Sequence, residues 1–405
     1  MEKVWKGKNK MNLKYSIKDL KQEPLIVIFG AGVVGELLLH FCRSEKLSVV
    51  AFCDNNSKKS GRKLMNIPII SFKELQVQYP DSAILISVID ISDVITQLNG
   101  IGSKKIYAAS EILRDFPVFN YQYSKKQDFV NYVAGNCLAS HDSFMFPEKL
   151  FLRSVDLVIT QRCSLKCRDC SNLMQFYKKP ENFDADEICA SVQLLCELAD
   201  CINEFRIIGG EPFMHREYRK ITEFIGRMKN VGKIVFFTNA TVIPDFSGLA
   251  DDLRSKLLFI ITDYGKLSRN LSGMTEMLDR EGLKYLVSKA GNWTSCSEIS
   301  KYHRTMQQEQ DNFDNCCAKN LITLMDGALF RCPFAANCYS LGLPERSSFD
   351  RVEISQRDSL KKEIITFIRN KNVIPVCSWC PGRRFDDREI VPAIQTDHPL
   401  PLPWN

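Results

Sequence analysis

The stretch "VITQRCSLKCRDCSN" (Val158–Asn172) sets three cysteines, Cys163, Cys167 and Cys170, in a C-x3-C-x2-C spacing. It continues directly from "VDLVIT" (Val155–Thr160), an apolar, β-branched run of strand length. Soft thiolates in a tight group favour zinc or an iron–sulfur cluster, and a closed structural zinc site wants a fourth protein ligand. Three thiolates suit a 4Fe–4S cluster with one iron left open to a substrate or cofactor.

Outward from this stretch the chain alternates strand and helix. Strand patterns follow at "EFRIIGG" (Glu204–Gly210), "KIVFFTNA" (Lys233–Ala240), "KLLFIITD" (Lys256–Asp263) and "LKYLVS" (Leu283–Ser288). Helical spacing of apolar residues marks "ADEICASVQLLCELADC" (Ala185–Cys201) and "HREYRKITEFIGRMK" (His215–Lys229). Strands with helical crossovers imply a parallel sheet, and the count predicts a partial (β/α)6 barrel over residues 151–294. Functional groups of such barrels sit at the C-terminal ends of the strands, where the cysteine triplet lies.

The triplet after the first strand, followed by "GGEPF" (Gly209–Phe213) after the second, resembles the radical S-adenosylmethionine (AdoMet) superfamily. The resemblance covers roughly residues 150–385. It implies that the open iron chelates the amino and carboxylate groups of AdoMet, and that Gly209, Gly210, Glu211 and Pro212 contact the amino group. It also implies cleavage to a 5′-deoxyadenosyl radical once the cluster is reduced, with a flavodoxin- or ferredoxin-type electron donor. Thr238, Asn239 and Asp263, with Tyr264 beside it, are similar to residues that meet the AdoMet ribose and carboxylate; as bare residues they also read as helix caps and turn formers. Many members place an aromatic residue just before the third cysteine, against the adenine. This chain has Asp169 there, which leaves Phe176 or Tyr177 as the expected wall.

A second cysteine set lies in "CCAKNLITLMDGALFRC" (Cys316–Cys332) and "VCSWCPGR" (Val376–Arg383). Asp326–Gly327 is a hairpin turn signal. The spacing from Cys317 through Gly327 to Cys332, with Cys377 and Cys380 downstream, resembles the SPASM/twitch extension of radical AdoMet enzymes in its shorter, twitch form. It implies a twitch-like hairpin domain over 295–385 holding one auxiliary 4Fe–4S cluster on Cys317, Cys332, Cys377 and Cys380. Cys316 competes with Cys317 for that role, and four-cysteine zinc is the chemical rival. Cys338, Cys316 and Cys296 are candidate hydrogen-atom donors.

Near the N-terminus, "LIVIFGAGVVGELLLHF" (Leu25–Phe41) carries Gly30-x-Gly32-x-x-Gly35, and Asp54 ends the next strand, "LSVVAFCDNN". This matches the dinucleotide fingerprint: a tight turn, a helix N-terminus facing phosphate, and an acid for a ribose hydroxyl. "AILISV" and "KKIYAAS" read as further strands, with "ISDVITQLNG" as a helix between them, so residues 1–110 are predicted as a Rossmann-like parallel-sheet domain. Residues 24–110 also resemble the N-terminal domain of bacterial sugar O-acyltransferases and related polysaccharide-biosynthesis proteins, which implies a nucleotide-sugar ligand. NAD and a ligand-free docking role are the other readings. Residues 111–150 read as a linker with room for one helix, and 386–405 as an extended tail.

The bulk numbers fit this α/β picture. The chain has 405 residues, 45% hydrophobic and 25% charged, with a net charge of +6 and no local basic stripe, so no nucleic-acid partner is expected. No apolar run reaches membrane-helix length, and the start, "MEKVWKGKNKMNLKYSIK", lacks an apolar leader. Sixteen cysteines in a chain this long suit a reducing cytoplasm and metal chemistry rather than a disulfide scaffold. Cys42, Cys53, Cys137, Cys189, Cys196 and Cys201 read as small buried hydrophobes.

The function expected on these grounds is radical abstraction of hydrogen from a polar small molecule, a sugar or nucleotide-sugar, with oxidation through the auxiliary cluster. Epimerisation, peptide maturation and a non-catalytic iron–sulfur module are the rivals.

Overall fold

The computed structural model describes residues 13–14, 16–103, 105–115, 122–384 and 388–404. Most of the basic start and the boundary near 385 fall outside them. The chain divides into two compact units, residues 1–151 and 152–405.

In the first unit, parallel strands Ile106–Tyr107, Ala83–Ile86, Ile26–Phe29, Val49–Cys53 and Ile67–Ile70 lie side by side in that order. Ile26–Phe29 and Ala83–Ile86 are buried at every position, as strands covered on both faces must be. Helix Val33–Ser44 springs from the glycine turn, and Ile91–Gly100 forms the predicted helix. Within residues 111–150, read as a linker with room for one helix, that helix lies at residues 127–145. It has 19 residues, and its Val130, Ala134 and Cys137 enter the same core as Leu37, Leu38 and Phe41. Its weak apolar period hid its bounds, because the helix buries small residues and a histidine rather than a stripe of leucines.

The second unit is built on one sheet. Val155–Thr160, Cys201–Gly209, Val231–Thr238, Leu257–Asp263 and Lys284–Lys289 run parallel and adjacent. Phe213, Phe236 and Phe259 stack at centroid spacings of 5.0 and 5.3 Å, with Phe246 edge-on to them. That aromatic layer fixes the ends of strands two to four.

Two expectations change here. The alternating run supplies the five parallel strands read from it, and the sixth comes from outside residues 151–294. The further parallel strand, Ile322–Met325, comes from the second-cysteine segment and pairs with the first strand, Ile322 opposite Val155. Its hairpin partner Ala328–Phe330 and then Arg351–Glu353 extend the same sheet. Residues 295–385 are therefore continuous with the barrel sheet rather than a separate domain. The first strand, covered on both edges and both faces, is buried at all six positions, whereas Lys284–Lys289 is an edge with mostly exposed side chains.

Candidate active site

The cysteine triplet leaves the first strand and doubles back beside the second. Gly210 N–H donates to the Thr160 carbonyl at 3.0 Å and Glu211 N–H to that of Arg162 at 2.8 Å. A side chain on Gly210 would stand 2.2 Å from the Arg162 carbonyl oxygen and 2.8 Å from the Cys163 β-carbon. Only glycine lets the two loops approach this closely. Gly209, at φ +146°, is equally confined against Thr160.

Glu211 is buried. Its carboxylate accepts from Thr238 Oγ1 at 2.8 Å and from Asn239 N–H at 2.9 Å. Burial lifts its pKa to about 7 against those hydrogen bonds. Pro212 opens a short 3-10 turn right after it. Glu211 thus clamps the second strand end to the third, and the Thr238 hydroxyl is committed inside the protein rather than offered to a ribose. Asn239 turns toward the thiols: its Nδ2 lies 3.8 Å from Cys163 Sγ and donates to Ser164 Oγ at 3.4 Å. Asp263 accepts from Gly265 N–H at 2.8 Å, the turn-forming role.

The three thiols share an apolar cradle with Leu165, Tyr264, Leu267, Trp293 and Ala393. Tyr264 and Trp293 meet edge to face at 6.0 Å. They are the aromatic side chains packed beside the thiols, whereas Phe176 and Tyr177 were the ones expected there. Phe176 is packed into the core between barrel and hairpin, and the Tyr177 hydroxyl donates to Asn337 Oδ1 at 2.9 Å. Asp169 pairs with its neighbour Arg168 at 2.9 Å. Sequence reading also missed the tail. Gln395 Nε2 donates to Cys167 Sγ at 3.3 Å, its Oε1 accepts Lys166 N–H at 2.7 Å, and the carbonyl of Ile394 accepts Arg168 N–H at 2.7 Å. The segment is a lining of the triplet loop, though nothing in its Pro-rich composition marks it.

In the second set, Cys316, Cys332, Cys377 and Cys380 line one cavity with Phe313, Phe334, Arg331 and Arg383. Cys317 is exposed and does not line it. This reverses the expected choice, because a turn at Cys316–Ala318 directs the first thiol inward. The hairpin turns at Asp326 and Gly327, both with positive φ, so Met325 faces Ala328. Cys338 is wholly buried in the helix Pro333–Ser340, out of reach of a substrate, and Cys296 lies near Cys170 and Arg383.

Burial pushes the Cys163, Cys167, Cys170, Cys332 and Cys377 thiols up, Cys316 to about 11 and Cys380 to about 12. Such thiols become thiolates only when a cation binds them. Among the described residues no group of three or more Cys, His, Asp or Glu side chains lies close enough together to hold a metal ion as they stand. Arg383 adds a second clue. Its guanidinium is buried, Nε has no hydrogen-bond partner among the described residues, and Cys296, Cys380, Cys332 and Cys316 lie around it. A lone buried cation calls for an anionic group beside it. Two soft donor sets flanking it fit iron–sulfur clusters: Cys163, Cys167 and Cys170 on one side, Cys316, Cys332, Cys377 and Cys380 on the other.

Residues 153–258 match the family described as "4Fe-4S single cluster domain". This part of the second unit is therefore similar to a single-cluster 4Fe–4S domain. Residues 23–107 match the family "C2185-like, N-terminal". The GTP 3′,8-cyclase of Clostridium acetobutylicum is 26% identical over 143 residues, 31% of this chain and 44% of that protein. The GTP 3′,8-cyclase of Alkaliphilus metalliredigens is 30% identical over 145 residues, 32% of this chain and 45% of that one. The match thus spans less than half the length of these curated relatives. Among solved structures, BtrN in complex with AdoMet and 2-DOIA aligns with a TM-score of 0.36 at 14% identity, covering 58% of this chain and 94% of that one.

In the first unit, Gly30 sits at φ +114°, and a side chain there would meet Ser87 Oγ at 2.4 Å. Gly35 packs against the Gly30 carbonyl and Phe52, while Gly32 caps the helix N-terminus beside open space. Asp54 is engaged by its own loop. Its carboxylate accepts from Ala31 N–H and Asn56 N–H, each at 2.9 Å, and pairs with Lys59 at 2.8 Å. It braces the glycine turn from below. No helix among the described residues is long and apolar enough to cross a membrane.

Proposed function

We propose that this protein is a radical AdoMet enzyme that removes hydrogen from a polar small molecule, with a sugar or a sugar bearing an activated phosphate as the substrate class. The observation that carries the proposal is the contact of the Gly209–Pro212 segment with the triplet loop, where Gly210 leaves space for nothing larger than hydrogen beside Cys163. A cluster held by Cys163, Cys167 and Cys170, once bound and reduced, supplies the electron that cleaves AdoMet to a 5′-deoxyadenosyl radical.

The chain's own groups then have separable tasks. Asn239 orients the Cys163 thiolate and Gln395 that of Cys167. Tyr264 and Trp293 exclude water from the triplet. Cys316, Cys332, Cys377 and Cys380 would hold an auxiliary 4Fe–4S cluster that accepts the electron left on the oxidised substrate. Arg383 carries the compensating charge between the two sets. Cys338 is sealed in the core and Cys316 lies in the second cavity, which leaves Cys296, near Cys170, as the thiol hydrogen donor that an epimerase would use. The sugar assignment rests on the resemblance of residues 24–110 to sugar O-acyltransferase N-terminal domains.

The direct test is anaerobic reconstitution followed by dithionite reduction with AdoMet. Formation of 5′-deoxyadenosine, lost when Cys163, Cys167 and Cys170 are changed to Ala, is the expected result. A reconstituted protein that binds iron but makes no 5′-deoxyadenosine is an iron–sulfur binding module instead.

A further inference from the structure

A second cavity lies against the triplet loop, separate from the second cysteine set. Its volume is about 210 Å³, and it is lined by Gln161, Cys163, Lys166, Gln175, Tyr177 and Lys178, with Thr396 and Pro399 of the tail. Cys167 and Cys170 do not line it, and neither do Gly209, Gly210, Glu211 or Asn239. It is therefore neither the space between the three thiols nor the surface of the Gly-Gly-Glu-Pro segment. It meets the triplet only at Cys163.

Gln175 is the informative residue. It is 3% exposed, yet neither Oε1 nor Nε2 has a hydrogen-bond partner among the described residues. A buried amide with both ends unsatisfied is costly, and native proteins keep one where a ligand or water completes it. The backbone around it is well tied: the Gln175 carbonyl accepts Leu400 N–H at 2.8 Å. The side chain is thus held in place by its surroundings while its buried amide is left without a partner. A primary amide offers one acceptor and two donors, which match a hydroxyl or a pair of vicinal hydroxyls. Lys166 and Lys178 are exposed on the same lining and supply positive charge for an anion. The volume, about 210 Å³, is on the scale of one sugar ring.

We infer that this cavity is the substrate site for a hexose phosphate, with hydroxyls on Gln175 and the phosphate between Lys166 and Lys178. The inference deepens the function proposed above and rests on it, because the bound ring would lie beside Cys163 where the radical is made.

The test is calorimetry on the anaerobically reconstituted full chain with glucose 1-phosphate, glucose 6-phosphate, glucose, inorganic phosphate and UDP-glucose. AdoMet cleavage is measured on the same preparation. At least one hexose phosphate should bind more tightly than glucose or phosphate. Gln175→Leu should weaken it about tenfold or more, and so should Lys178→Ala, the latter less at high salt. Gln175→Glu keeps the shape and adds a like charge, so it should weaken binding even if the Leu variant folds poorly. AdoMet cleavage without substrate should stay within about twofold in all three variants. No binding by either hexose phosphate, or binding that Gln175→Leu and Gln175→Glu leave unchanged, overturns the site. Tight UDP-glucose binding that ignores Gln175 also overturns it and moves sugar recognition elsewhere. Absence of 5′-deoxyadenosine with intact, Gln175-dependent sugar-phosphate binding would sink the radical chemistry and leave the site standing.

Discussion

Arg383 donates through Nη2 to the carbonyl oxygen of Ser171, the residue that follows Cys170. Its own carbonyl accepts the N–H of Cys317 at 2.7 Å. One residue three places past Cys380 therefore ties the first cysteine loop to the start of the second set. Arg383→Met removes the charge while keeping much of the volume. It should lower iron retention at both sets and reduce stability by about 1.5–3 kcal/mol, the range for a hydrogen bond to a charged group. Arg383→Lys keeps the charge but not the planar fork, and should recover only part of the loss. Iron content and an anaerobic thermal melt are the readouts. Full iron loading in the Met variant would remove the electrostatic role.

Much of this arrangement is legible in the sequence, and the parts that are not have identifiable causes. The strand Val155–Thr160 and helix Ile91–Gly100 are found with the expected bounds because their burial pattern follows directly from hydrophobic period. The hairpin at Asp326–Gly327 is legible from turn chemistry. The placement of Ile322–Met325 against the first strand is a long-range choice of sheet edge, which no local pattern encodes. Gln395 reaches Cys167 across 228 positions for the same reason. Thr238 and Asp54 mislead because a polar residue at a strand end can serve a ligand or brace its own loop, and only the partners within reach decide which.

The choice between adjacent cysteines is directly testable. Cys316 lines the second cavity and Cys317 is exposed. The reconstituted wild type should hold about eight iron atoms in two four-iron clusters. Cys316→Ser should lose iron from the second set and leave the first intact. Cys317→Ser should keep the wild-type iron content. Equal retention by both variants would mean that the second set is not a four-thiolate site.

Gln395 sets a different observable. A donor on a ligand sulfur stabilises the reduced, more negative state of the cluster, so removing it lowers the reduction potential. Gln395→Leu deletes the 3.3 Å contact to Cys167 with little change in volume. A neutral hydrogen bond is worth about 0.5–1.5 kcal/mol, which for one electron is roughly 20–60 mV. The first cluster should shift down by that amount in a titration followed by electron paramagnetic resonance. The second cluster should not move. An unchanged potential, or a shift in both, would reduce the tail to a packing role.

The first unit should carry a pH dependence of its own. His141 is fully buried; its Nδ1 accepts the N–H of Ala109 at 3.0 Å, and its Nε2 lies 2.8 Å from the carbonyl of Val88. That pairing requires the neutral ring with the proton on Nε2. A second proton, on Nδ1, would face the Ala109 donor. Burial accordingly holds the pKa down to about 4, although the Val88 contact and Asp142 pull the other way. The folded value lies below the unfolded one near 6.5, so the stabilisation is fully present above about pH 6.5. It is lost as pH falls toward 4, because the unfolded chain takes up the proton first. The amount is about 3 kcal/mol, discounted for whatever relaxation burial permits. His141→Gln should be less stable than wild type at pH 7, since it cannot satisfy both Ala109 and Val88 as well. Its deficit should shrink as pH is lowered from 6.5 to 4.5, as measured by urea unfolding of the full chain at each pH. A deficit that stays constant across that range would mean that His141 is not the titrating group.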